Sequence, residues 1–277
     1  MYERTTANDV NVNGAATSTY EQANSSIDTR SSAFLGKVYG YMAILIVITT
    51  AVALAVGYGL YYGLVQALDA GDTDLATRLI YIGVGGMVVS AIAMLVCSFI
   101  ISIASFRRKM SIVVPGIIYA VSFGILISFI VLVAGETEPW ILPSAFGITA
   151  AVFALMFLIT RKAQNLNWLA MLGLTLLMGA LLLGAVFGLV YLFNTVVGLH
   201  FMSEGAYLLF IIIDAVVFFS MILLITYDVW RISKIADRGA YSKNLAQYCA
   251  FWLYQDFMYL LIRILRILIY VAVHMKK

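Results

Sequence analysis

The sequence predicts an all-α integral membrane protein of seven transmembrane helices. Three observations carry this. The 277 residues are 63% hydrophobic and only 11% charged, with a mean hydropathy of +0.99, far from the balance of a globular domain. Seven apolar segments follow one another, at roughly 38–64, 79–105, 111–134, 141–160, 169–193, 207–230 and 245–273, each long enough at 1.5 Å per residue to cross a core of about 30 Å. The connections between them alternate in charge. With three prolines and long Leu/Ile/Val/Ala runs, and no short alternating strands, helices are favoured over a barrel.

Residues 1–36 are rich in Ser, Thr, Asn, Ala, Glu and Asp and are expected to form a disordered cytoplasmic tail ahead of a membrane domain at 37–277. They hold no basic start followed by an apolar run, so the first span is expected to act as the targeting signal. Arg107, Arg108 and Lys109 follow the second segment, Arg161 and Lys162 the fourth, and Arg231, Lys234, Arg238 and Lys243 the sixth. Asp69, Asp72, Asp74, Glu136, Glu138 and Glu204 fill the alternate connections, with Arg78 the one basic residue among them. The positive-inside rule then places the N-terminus and the basic loops in the cytoplasm. A net charge of +3 located at helix ends gives no reason to expect a nucleic-acid partner. The lipid bilayer is the first partner.

Gly184 and Gly188 on the fifth segment, and Gly83, Gly85 and Gly86 on the second, are expected to let helices approach closely. Pro115 with Gly116 is a faint candidate for a broken helix, the usual mark of a proton-coupled transporter. Cys97 and Cys249 lie in apolar segments and read as core residues. Two scattered histidines, His200 and His274, leave too few ligands for structural zinc.

The last segment is different. It contains Asp256, Arg263 and Arg266, and ionisable groups at bilayer depth face a protein interior or a water path. Trp252, Asp256, Tyr259, Arg263, Arg266 and Tyr270 fall in one sector of this helix, which is therefore expected to be the buried centre of a bundle with its polar stripe turned from lipid. A re-entrant seventh helix is the competing reading, because a full span leaves Lys276 and Lys277 outside. A full span also puts Arg263 and Arg266 in the outer half, where they need partners.

The sixth segment adds Asp214 and Asp228, which share a face about 21 Å apart along the axis. Helices six and seven are consecutive and so are expected to be neighbours, bringing Asp228 to Asp256. Two carboxyls in contact in a poorly hydrated site are not both ionised cheaply, so the pair is expected to share a proton and act as a latch. Arg107 or Arg108 is expected to tune it. Arg263 and Arg266 are expected either to neutralise Asp214 or to block an ion path. In the plainer reading Asp228 snorkels or pairs with Arg231, Asp256 pairs with an arginine, and Tyr227 and Tyr254 are packing aromatics.

TYDVWRI at 226–232 followed by LYQDFMYLLIRILR at 253–266 resembles the paired signature of the transmembrane Bax-inhibitor motif family, in its bacterial branch, and the likeness covers about residues 34–273. The resemblance implies two three-helix layers around a central C-terminal helix and a pH-sensitive calcium leak in a bacterial plasma membrane. It implies a proton-sharing pair at Asp228 and Asp256, with Arg107 the nearest match to an arginine that associates with the pair. Where the family often has Leu-Asp-Phe-Ile-Asn, this chain has Gln255, Asp256, Phe257, Met258 and Tyr259. Asp214 and Arg263 look like additions.

The leading expectation is thus a non-enzymatic cation leak without cofactor, with Ca2+ as the transported ion, transient contacts to it from Asp228 and Asp256, and Asp214 along the path. A regulator that binds other membrane proteins, such as a membrane protease, is the second. An intramembrane aspartyl protease is the third. It fits poorly, because Asp256 follows Leu-Tyr-Gln where such enzymes have a Gly-x-Gly-Asp turn, and their Pro-Ala-Leu motif is absent.

Overall fold

The structure is a computed structural model that describes residues 10–107, 111–162, 165–197, 205–238 and 242–275. Within them the chain forms helices and no strand: α1 (Val10–Asp69), α2 (Thr73–Arg107), α3 (Val113–Thr137), α4 (Ile141–Lys162), α5 (Asn167–Val197), α6 (Gly205–Asp237) and α7 (Lys243–Met275). Short connections make α1 and α2, α2 and α3, α5 and α6, and α6 and α7 antiparallel neighbours. The α1–α2 turn shows how the sequence enforces this. Gly71 adopts φ +70°, the Asp72 N–H donates back to the Ala67 carbonyl, and the Asp72 carboxylate caps the Leu75 N–H at 2.9 Å. The left-handed residue closes one helix and the aspartate opens the next.

The helices sort into two groups of three and a centre. α1, α2 and α3 pack on one another; α6 packs on α4 and α5; α7 lies against α1, α3, α4 and α6. This is the layered, all-α membrane architecture expected. Six helices, α1 to α6, are long and apolar enough to cross a membrane. The seventh is less apolar yet more enclosed: Cys249, Ala250, Leu253, Tyr254 and Leu260 are fully buried. Its 33 residues extend about 50 Å at 1.5 Å each, which is ample for a span. Because other helices cover most of it, it does not need the apolarity that lipid contact demands. Outward faces of α2 and α5 carry that burden, with Tyr81 72%, Val89 67% and Met171 76% exposed on the bundle surface. Ser and Thr hydroxyls inside the spans bond back to carbonyls of their own helix, as at Thr149, Ser220 and Thr226, which is how polar groups are tolerated there.

α1 begins at Val10, and Phe34 and Val38 are buried in the core. Residues 1–9 lie outside the described residues. Three expectations are corrected. Gly184 and Gly188, and also Gly85 and Gly86, meet nothing within 4 Å, so these are not packing faces within the bundle. The close approaches lie elsewhere, at Gly124, where an added Cβ would stand 2.7 Å from the Thr49 carbonyl oxygen, and at Gly57, 3.0 Å from that of Ser128. Pro115 breaks nothing, since it falls in the first turn of a continuous α3, where a missing N–H costs no helical bond. Finally, the polar sector of α7 is not sealed by protein. Tyr259 and Tyr270 are 42% and 45% exposed, and Tyr259 lines an opening between α3 and α6. Lys276 and Lys277 lie outside the described residues.

Candidate functional site

At the end of the bundle that carries the basic connections, α6 and α7 meet through Arg231, whose guanidinium sits 5.7 Å from the Trp252 ring centre. One turn deeper on each helix stand Asp228 and Asp256. Val229, Leu253, Tyr254, Phe257 and Met258, their neighbours along the two helices, are buried. The two carboxyls are close enough to interact electrostatically, and Asp228 also feels the charge of Arg231. Asp256 Oδ2 is buried and has no hydrogen-bond partner among the described residues. Neither acid forms an ion pair within 4 Å among the described residues. The helix containing Arg107 ends at this same end of the bundle, packed on α1 and α3; the Arg107 side chain lies outside the described residues.

At the other end, Asp214 of α6 binds both arginines of α7. Arg263 Nη1 donates to Asp214 Oδ1 at 2.7 Å and to its backbone carbonyl at 3.2 Å. Arg266 Nη2 donates to Oδ1 at 2.9 Å and Oδ2 at 3.1 Å. Asp228 and Asp214 are about 21 Å apart along α6, while Asp256 and Arg266 are about 15 Å apart along α7, and the long arginine side chain spans the difference. The partners that Arg263 and Arg266 need are therefore supplied by one aspartate. Asp214 is committed to that cluster, and its carboxylate does not join Asp228 and Asp256 in one constellation.

Three separate polar contacts between α7 and the α1–α3 layer were not anticipated. Thr49 of α1 donates to a carbonyl, Leu45 at 2.9 Å or Ala120 at 3.1 Å, and bonds the Tyr254 hydroxyl at 2.5 Å. Gln255 Nε2 donates to the Tyr119 hydroxyl at 3.1 Å. Buried Gln247 accepts from the Ser111 hydroxyl at 3.1 Å and the Ile112 N–H at 3.2 Å. Tyr254 is thus more than a packing aromatic, and Tyr227 does pack, 5.7 Å from Trp230. The available signal was the presence of Thr49, Gln247 and Gln255 in apolar helices, where an amide or hydroxyl needs a partner. Which helix supplies it is a tertiary fact.

No group of three or more His, Cys, Asp or Glu occurs among the described residues. Two carboxylates offer at most four oxygens, fewer than the six to eight that a bound Ca2+ takes.

The fold defines a class: a multi-pass membrane bundle whose central helix and its neighbour α6 each carry an aspartate, the two within electrostatic reach. Over residues 31–272 the chain matches the family described as inhibitor of apoptosis-promoting Bax1, and it belongs to that family. Neither the curated proteins nor the solved structures gave a match.

Proposed function

We propose that this protein is a pH-sensitive leak for Ca2+ and related cations, and that Asp228 and Asp256 form its gate. The observation that carries the reading is the buried Oδ2 of Asp256, an acceptor with no donor among the described residues, within electrostatic reach of a second carboxyl on an adjacent helix. A proton held between the two acids fills that vacancy and ties α6 to α7 by a carboxyl–carboxylate hydrogen bond. Loss of the proton, or entry of a cation, releases the tie. The basic end then faces the cytoplasm of a bacterial cell under the positive-inside rule, so the gate lies at the inner side of the membrane. Arg107, at the end of α2, stabilises the ionised pair and sets the pH of switching. Asp214 is removed from the path in this reading, because Arg263 and Arg266 already neutralise it.

The test is Ca2+ flux into liposomes holding the purified protein and an internal indicator, measured across a range of pH. Wild type passes Ca2+ at a rate that changes with pH. Asp228→Asn and Asp256→Asn each flatten that profile, and the double substitution flattens it no further, because the two acids act as one unit. No flux from the folded wild type would end the channel reading, and a pH profile unchanged in both single variants would end the gate.

A further inference from the structure

The cluster of Asp214, Arg263 and Arg266 has a geometry that goes beyond the leak reading and does not rest on it. It carries one negative and two positive charges, and the excess charge is outward-facing: the side chain of Arg266 is 61% exposed, that of Asp214 44% and that of Arg263 20%. Each guanidinium has five N–H donors, and those of Arg263 Nη2 and Nε and Arg266 Nη1 and Nε have no partner among the described residues. Beside them runs a groove of about 500 Å3 whose walls, contributed by α3, α6 and α7, include Phe129, Ile130, Val133, Met221 and Ile269. The groove is apolar, and it is open on the bundle surface, where Phe129 is 60% exposed.

Depth fixes what such a groove meets. Asp214 is seventeen residues from Arg231 on α6, about 26 Å, close to the roughly 30 Å between the two headgroup boundaries. With Arg231 at one boundary, the cluster lies near the other. An apolar channel at acyl-chain depth that ends at headgroup depth on two guanidinium groups sharing one aspartate, with N–H donors left over, matches one molecule in both parts, a phospholipid with an anionic head. We propose that this groove is a binding site for an anionic phospholipid of the leaflet opposite the basic end, its acyl chain lying along Phe129, Val133 and Met221 and its phosphate on Arg263 and Arg266. Asp214 holds the two guanidinium groups in place and limits the site to one net positive charge.

The test is native mass spectrometry of the full chain released from nanodiscs made of equal parts phosphatidylglycerol and phosphatidylcholine. One net positive charge predicts that wild type retains phosphatidylglycerol about fivefold over phosphatidylcholine, and Asp214→Asn, which adds a second, predicts roughly a further fivefold. The Arg263→Gln/Arg266→Gln double variant loses the preference. Val133→Trp fills the groove with every charge intact and lowers retention of both lipids. Excess glycerol phosphate, a head without a chain, displaces nothing. Equal retention of the two lipids by wild type, a preference surviving in the double variant, displacement by glycerol phosphate alone, or a second copy of the chain in place of lipid would each overturn the proposal. Should the double variant not fold, Asp214→Asn and Val133→Trp decide it, since neither removes a guanidinium.

Discussion

Replacing Gly124 by alanine adds one methyl group where α1 and α3 cross, and the structure leaves no room for it. The new Cβ would stand 2.7 Å from the Thr49 carbonyl oxygen and 2.9 Å from the Cβ of Val52. Both belong to or adjoin the backbone, so no side-chain rotation relieves the clash and α1 must move. Overpacking of this kind costs about 1–3 kcal/mol. Alanine also gains up to about 1 kcal/mol over glycine inside a helix, so the raw change understates the clash. Gly86→Ala supplies the correction: it is a mid-helix glycine with nothing within 4 Å, and it takes the same propensity gain with no clash. Melting temperatures of both variants in one detergent, at roughly 2–4 °C per kcal/mol for a chain of this size, should place Gly124→Ala several degrees below Gly86→Ala. The consequence reaches α7, because the residue pushed is Thr49, whose hydroxyl binds Tyr254. If the two variants melt together, the helices do not cross at this distance and the reasoning fails.

Other outcomes follow from the buried polar contacts. Thr49→Val keeps the side-chain shape but strands the Tyr254 hydroxyl, at a cost of about 1–3 kcal/mol; Tyr254→Phe removes the stranded group. The double variant should therefore melt above the sum of the two losses, and strict additivity in the cycle would mean that the hydroxyls do not meet. Gln247→Leu takes away the acceptor for the Ile112 N–H, so that amide should exchange with deuterated solvent faster than in wild type; unchanged protection would place Gln247 elsewhere.

The family signature was legible because it is local. TYDVWRI and LYQDFMYLLIRILR place each acid on its helix, and the 3.6-residue period sets Asp214 and Asp228 on one face. That Arg263 and Arg266 needed partners also followed from the price of charge in a membrane. Their partner did not follow, because Asp214 had as good a claim to the ion path as to the arginines until α6 and α7 were laid in register. The glycine signals misled for the same reason: a small residue permits close approach, but whether a helix comes there is not written in its neighbours.

By itself, then, the sequence determined that the chain is helical, that it crosses a bilayer several times, and that its last helix lies inside the bundle, since apolarity, length and the cost of buried charge act segment by segment. Tertiary structure alone decided which polar groups meet: Thr49 with Tyr254, Gln247 with the start of α3, and Asp214 with two arginines, leaving one oxygen of Asp256 without a donor among the described residues. The physical reason is reach. Hydrophobic matching has little direction and can be read along a chain, whereas a hydrogen bond forms within about 3 Å, and only the packed bundle brings side chains from distant helices that close.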